Sequence, residues 1–322
     1  MKICIYGAGA IGAYLGAALA DAGCEITLIA RGPHLEAMRA RGLTIEQNGK
    51  RRTLTLNVTD DASSVGLQDY VILTVKAHSV APALDQIMTL LGPDTAVVTA
   101  QNGILWWYFH ALEGPLQDSH PETADPGGLI WNSLGPERAI GCVVYPSCEI
   151  VEPGVVRHLD GNRFMLGEPS GEKTERVTAL AEAMSAGGLK APVRRKIRDD
   201  IWFKLLGNAT FNPVSVLTGA TLEQMGRHAG TRSVIKTLMQ EAATVATRLG
   251  VKFPMDLDKR IDGGTAVGAH KTSMLQDYEL GRPLEIDALV ASVAELGSLV
   301  EIPTPVLDAV VALVRHKAEL RS

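Results

Sequence analysis

Apolar positions fall in short, glycine-punctuated runs over the first two thirds of the chain, then in stripes of helical period from Asp199 onward. Met1–Tyr6 is apolar with β-branched residues and predicts a buried strand; an Ala/Leu-rich helix over Ile11–Ala22 follows, ended by Gly23. Glu25–Ala30, Tyr70–Val75 and Ala96–Ala100 predict further strands, the last two flanking a helix near Ser79–Leu91. Thr44–Glu46 and Arg52–Val58, split by Asn48-Gly49, predict a polar hairpin that departs from strict alternation. Strands are also expected at Leu129–Trp131, Ala139–Tyr145, Gly154–Leu159, Arg163–Leu166 and around Val193, with a helix over Thr174–Ala186. This rhythm is that of a doubly wound, mostly parallel sheet.

The later stripes predict helices over Asp199–Thr218, Thr231–Leu249, Met255–Ala266, Ser273–Gly281, Glu285–Leu299 and Pro305–Leu320. Thr304-Pro305 is a helix start, Thr as N-cap and Pro in the first turn. The change of texture sets a boundary near residues 190–198. The fold class is therefore α/β: a Rossmann-type doubly wound sheet domain over 1–196 and an all-α domain over 197–322. The pattern is weakest after Gly103. Trp106-Trp107-Tyr108-Phe109 gathers large aromatics, and a Pro-, Gly-, Asp- and His-rich stretch from about Glu113 to Pro136 reads as a long surface excursion. Exposed aromatics mark interfaces, so this run is expected in a cleft lid or an oligomer contact.

A chain of 322 residues accommodates two domains, and 46% hydrophobic residues supply a core for each. The formal charge of −5 argues against a nucleic-acid or anionic-membrane surface. Local basic runs, Lys50-Arg51-Arg52 and Arg194-Arg195-Lys196, read as solvated faces or strand ends. The four cysteines, at 4, 24, 142 and 148, have no metal-like spacing; Cys4 and Cys24 fit small core positions, and no disulfide framework is expected. The opening residues read as strand–turn–helix rather than an export signal, and no apolar run reaches the ~18–20 residues of a membrane span. A cytoplasmic protein is expected.

Chemistry enters at Gly7-Ala8-Gly9-Ala10-Ile11-Gly12. In such a turn the first glycine permits the bend, the second lets the backbone approach a pyrophosphate, and the third lets the helix lie close to the sheet. The phosphates then rest on a helix N-terminus. At the end of the second strand an acidic residue would select NAD, whereas Ile29-Ala30-Arg31 offers a guanidinium suited to a 2′-phosphate. NADPH is therefore the expected cofactor, the alternative being that Arg31 is a surface arginine. Lys76 and Asn102 each follow a predicted strand and so face the cofactor crevice, unless they only serve turns.

Lys204, Asn208 and Asn212 recur at four-residue spacing along an otherwise apolar helix. They form either a solvated face or the polar wall of a substrate site, with Lys204 polarising a carbonyl and the asparagines orienting it. Asparagine is a poor helix former and costly to bury unpaired. Burial lowers the pKa of a lysine, which suits proton transfer near neutrality. Pro213 predicts a kink or break in the same helix. Further on, Thr272 or Ser273 is an N-cap, Glu285 opens a helix where its charge suits the dipole, and His270 alone reads as a surface residue.

Five segments in order resemble the ketopantoate reductases, also called 2-dehydropantoate 2-reductases. They are KICIYGAGAIGAYLG with Arg31, LTVKA around Lys76, QNG around Asn102, RDDIWFKLLGNATFNPVSVLTG, and KTSMLQDYELGRPLEID. The resemblance spans nearly the whole chain. It implies NADPH-dependent reduction of a 2-keto acid to a 2-hydroxy acid on the route to pantothenate and coenzyme A, in a cleft between the two domains. It implies Lys204 as the catalytic lysine and Glu285 as its acidic partner. Asn208, Asn212 and Ser273 are then substrate-binding, Ser273 near the carboxylate. Gly7, Gly9, Ala10, Ile11, Gly12, Arg31, Lys76 and Asn102 are then cofactor-binding. His270 stands where the family carries a substrate-touching asparagine, and the segment from Ile104 to Pro136 is longer than a compact member needs. A homodimer is compatible with the sequence. Two other readings stay open: a same-family reductase of another branched or aromatic 2-keto acid, motivated by His270 and the aromatic run, and a non-catalytic dinucleotide-sensing module.

Overall fold

A computed structural model describes residues 1–253 and 256–321. They form two compact units. The first comprises Met1–Gln101, Phe109–Ser119 and Gly128–Ile197; the second comprises Asn102–Tyr108, His120–Gly127 and the chain from Arg198 onward.

The first unit begins β1 (Lys2–Tyr6), α1 (Ala10–Asp21), β2 (Glu25–Ile29) and α2 (Gly32–Arg41). It continues with β3 (Leu43–Gln47), β4 (Lys50–Leu54), β5 (Asn57–Thr59), β6 (Gln68–Leu73), α3 (Leu84–Met88) and β7 (Leu91–Thr99). After α4 (Leu129–Leu134) come β8 (Ala139–Val144), β9 (Ser147–Glu152), β10 (Val155–Asp160), β11 (Phe164–Gly167) and α5 (Glu175–Ala186). Seven strands form one sheet in the order β11-β8-β7-β6-β1-β2-β5, parallel throughout except for β11 on β8. This is the expected doubly wound sheet. Its central strands are buried on both faces, which is why they read as continuous apolar runs and not as alternation. Ile3, Ile5, Leu15, Leu19, Leu28, Ile72 and Val98 make the core between the sheet and α1. Gly16 lets α1 approach so closely that a Cβ there would lie 2.6 Å from Leu28 Cδ2.

Four more strands form a second sheet, β4-β3-β10-β9, in which β3 and β10 run parallel. The hairpin at Asn48-Gly49 is present, with both residues at positive φ as a tight hairpin turn requires. The expected strand Arg52–Val58 is divided, Arg52–Leu54 going to β4 and Asn57-Val58 to β5 in the other sheet. Leu129–Trp131 is helical, not a strand, and belongs to α4. The helix expected over Ser79–Leu91 is two 3-10 turns and the short α3. Around Val193 there is only an isolated bridge to Leu166.

The second unit holds α6 (Ile197–Thr218), α7 (Leu222–Arg227), α8 (Ala229–Arg248), α9 (Leu257–Thr265) and α10 (Ser273–Glu279), then a π-helical turn over Asp287–Ala291, α11 (Ser292–Leu299) and α12 (Pro305–Glu319). The expected start of α9 at Met255 lies outside the described residues. The helix α6 is continuous through Pro213, with no break. Thr304 makes no capping bond at α12; the Glu241 carboxylate does so instead, accepting from the Val306 and Leu307 N–H groups at 3.0 and 2.9 Å.

The aromatic run is not an exposed lid or contact. Trp106, Trp107, Tyr108 and Phe109 are 2, 1, 1 and 0% exposed. Trp202 Nε1 of α6 donates to Tyr108 Oη at 2.6 Å, and Arg198 Nε donates to the Tyr108 carbonyl at 2.8 Å. Burial pushes the Tyr108 hydroxyl up to about 12, so it stays neutral. Tyr108→Phe would leave the buried Trp202 N–H without its acceptor. The expected result is a loss of roughly 1–3 kcal/mol in urea unfolding; an unchanged midpoint would show that the bond contributes nothing.

Candidate functional site

In the first unit the glycine turn is built as its spacing requires. Gly7 has φ +108°, and a Cβ there would sit 2.5 Å from Val75 Cγ1. The Gly7 and Ala8 N–H groups bond the Ile29 carbonyl at 3.1 and 2.7 Å, holding the turn at the ends of β1 and β2. A Cβ on Gly12 would lie 2.5 Å from both the Gly7 carbonyl and Thr74 Oγ1. Gly9 differs: it is exposed, and a Cβ there would meet nothing within 4 Å. It opens α1 without a side-chain cap, so the N–H groups of Ala10, Ile11 and Gly12 present the unpaired donors of a helix start to that open space. A pyrophosphate fits such a cradle, where the helix dipole favours an anion and a side chain at Gly9 would fill its place.

Beside this turn, Arg31 is exposed and extended, and it precedes α2 without making a capping bond. Lys76 is half-buried three residues beyond β6 and starts the 3-10 turn Ala77–Ser79. Gln101, which the sequence reading passed over, is buried next to it. Its Nε2 donates to the Val75 carbonyl at 2.7 Å, and its Oε1 has no partner among the described residues.

In the second unit Lys204 Nζ donates to Asn102 Oδ1 at 2.6 Å, joining two residues 102 positions apart. Asn102 is held by the next residues: Gly103 has φ +95°, and Ile104 N–H bonds the Ala288 carbonyl at 2.9 Å at the π-helical turn. Lys204 and Asn208 are half-buried, and Asn212 is 4% exposed with Nδ2 unpaired among the described residues. The stripe is therefore not a solvated face. A buried amide without a partner costs about 1–3 kcal/mol, which a ligand acceptor would offset.

One helical turn after Asn212, Ser215 Oγ and Thr272 Oγ1 share a hydrogen bond of 2.5 Å, tying α6 to the start of α10. Thr272 is the N-cap, accepting from Leu275 N–H at 3.2 Å, which leaves Ser273 exposed as the first helical residue. Glu285 is half-buried just before the π-helical turn, and His270 is exposed. The sequence reading also missed Arg260 on α9, whose guanidinium donates to the Phe203 carbonyl at 3.3 Å and reaches 2.9 Å from where a Gly207 Cβ would be. A charged residue in a different helix leaves no local signal of such a contact. Among the described residues no cluster of His, Cys, Asp or Glu has metal-binding geometry, and no helix is long and apolar enough to cross a membrane.

Comparison with known proteins follows the same division. Residues 3–171 match the family Ketopantoate reductase PanE/ApbA, and residues 196–318 match its C-terminal domain. A 2-dehydropantoate 2-reductase of Mesorhizobium japonicum is 56% identical over 99% of this chain and 98% of its own. A solved structure from Ralstonia solanacearum, provisionally described as a ketopantoate reductase, is 43% identical, with a TM-score of 0.93 over 99% of this chain and 98% of its own. The ternary structure of D-mandelate dehydrogenase with NADH and anilino(oxo)acetate shares the fold, with a TM-score of 0.83 at 24% identity over 100% of this chain and 99% of its own. The chain is a dinucleotide-dependent oxidoreductase and belongs to the ketopantoate reductase family.

Proposed function

We propose that this protein reduces 2-dehydropantoate to pantoate with NADPH. The observation that carries the reading is the 2.6 Å bond from Lys204 Nζ to Asn102 Oδ1. It anchors the ammonium on a fixed amide oxygen and so sets the direction from which the lysine meets a substrate. The bound dinucleotide supplies a hydride to the keto carbon. Negative charge then grows on the ketone oxygen, where a preorganised cation stabilises it most. Lys204 hydrogen-bonds that oxygen and passes it a proton. Glu285 relays a proton from solvent to the resulting amine, restoring the ammonium. Asn208 and Asn212 hold the substrate's polar groups, the unpaired Nδ2 of Asn212 supplying a donor, while Ser273 binds the carboxylate and His270 meets the outer end.

On the cofactor side, Gly7, Gly9, Ala10, Ile11 and Gly12 take the pyrophosphate, Arg31 the 2′-phosphate, and Lys76 and Asn102 the nicotinamide ribose. Burial of the aromatic run removes its part in the case for an aromatic keto acid. The intact Lys204–Asn102 pair argues against a silent sensor, which has no need of it.

Loss of reduced-nicotinamide absorbance with ketopantoate tests this. We expect fast turnover with NADPH and little with NADH, and Arg31→Ala should raise KM for NADPH roughly 10–100-fold while leaving KM for NADH unchanged, as expected for a charge-assisted bond to phosphate. Equal use of both cofactors by the parent would overturn the cofactor assignment. Binding of NADPH without turnover of ketopantoate would overturn the substrate.

A further inference from the structure

His34 lies three residues beyond Arg31, in the first turn of α2, and nothing in the reaction above uses it. Its Nδ1 accepts from the Gly154 N–H at 3.0 Å. Gly154 belongs to the turn between β9 and β10 of the second sheet, far along the chain from the dinucleotide motif. That turn is fastened to α2 in other ways. Arg41 Nη2, at the end of α2, donates to the Pro153 carbonyl at 3.3 Å. Gly154 has φ +84°, and a Cβ there would stand 3.0 Å from Ala37 Cβ on the middle of the helix. The Gly154 carbonyl in turn accepts from Thr44 N–H of β3 at 2.8 Å. The turn is thus locked into its sheet and grips α2 at both ends.

We propose that His34 is a positioning residue for cofactor selectivity, through which the second sheet fixes the first turn of α2 and with it the backbone from which Arg31 reaches a 2′-phosphate. This rests on the reading of Arg31 given above. An arginine on an exposed helix start has side-chain rotamer freedom to lose on binding, and fixing the turn from which it springs removes part of that cost in advance. Because Nδ1 is the acceptor for Gly154, the imidazole proton resides on Nε2. Burial holds the imidazole below its ordinary value, which keeps Nδ1 available as an acceptor; the Ala8 backbone of the glycine turn opposes this in part. The second sheet, which the oxidoreductase chemistry does not otherwise call for, acquires a function in this way.

The test is calorimetric binding of 2′,5′-ADP and of 5′-AMP to the full chain, which reads the phosphate site without turnover. His34→Ala should weaken 2′,5′-ADP roughly fivefold to tenfold, the worth of one neutral hydrogen bond, and leave 5′-AMP within about twofold. His34→Asn, whose Oδ1 can accept from Gly154 in place of Nδ1, should recover the parent affinity. If the alanine variant does not fold, His34→Leu, which fills the space but offers Gly154 no acceptor, takes its place. Equal weakening of both nucleotides, or no weakening of either, overturns the inference. Arg31→Ala measured beside them separates the two claims. If it loses 2′,5′-ADP while the His34 variants keep it, only the role of His34 fails; if it binds 2′,5′-ADP like the parent, the reading of Arg31 itself fails.

Discussion

Lys204→Ala should keep its affinity for NADPH within about twofold and lose roughly 10²–10⁴-fold in kcat, the range for removing a positioned general acid. The separation follows from where the residue sits. Lys204 is bonded to Asn102 within the second unit, whereas the glycine turn and Arg31 are in the first. If Lys204 is the proposed donor, removing the ammonium takes away the group that meets the growing charge on the ketone oxygen, while the proposed phosphate cradle at the glycine turn is untouched. It also leaves Asn102 Oδ1 without its partner, so some loss of order around the 102–104 turn is included in the effect. Rapid-mixing single turnovers, with NADPH affinity measured by fluorescence titration, would check both halves. A variant that reduced ketopantoate at the parent rate would exclude Lys204 as the acid.

Gly103→Ala should be the most damaging single methyl in the chain's active region. The residue holds φ +95°, and its added Cβ would overlap the Ala288 carbonyl oxygen and stand 2.6 Å from the carbonyl carbon. Left-handed backbone costs a non-glycine residue about 1–2 kcal/mol, and overpacking against fixed backbone costs roughly 1–3 more. We expect a loss of about 2–5 kcal/mol in denaturant unfolding, accompanied by a fall in kcat as Asn102 is pushed away from Lys204. Gly49→Ala is the matched control. Its φ is +72° and its Cβ would meet nothing within 4 Å, so only the backbone cost of about 1 kcal/mol should appear, with kcat unchanged. Similar losses for the two variants would show that the contact with Ala288 is relieved by relaxation.

Local chemistry that demands one conformation was legible in the sequence. The glycine turn was, because Gly7 and Gly12 each face backbone atoms that only glycine tolerates. So was the stripe on α6, because four-residue spacing is a property of the helix itself. What failed were features settled by distant partners. The second sheet depends on Thr44 pairing with Val155, and no local pattern carries that pairing. The short apolar stretch at Leu129–Trp131 fits either period, and its place in α4 is fixed by tertiary packing. The helix α2 went unread because Gly32-Pro33 and its many charges imitate a loop. Thr304 looked like the cap of α12, but Glu241 on α8 holds two N–H groups there that a threonine hydroxyl would share poorly. The aromatic run lacks any period and so suggests exposure; the partners that meet Tyr108 in the buried state, Arg198 and Trp202, lie 90 and 94 positions later.

The same aromatic cluster gives the protein an uneven optical signature. Of its four tryptophans, Trp106, Trp107 and Trp202 lie in the helical unit, and Trp131 alone lies in the sheet unit. The first three are shielded from water, and Trp131 is half-buried. Intrinsic emission is therefore weighted toward the helical unit and starts from a blue, solvent-shielded state. A melt followed at tryptophan wavelengths reports chiefly on the unit that carries Lys204, and the sheet unit contributes to the signal through Trp131.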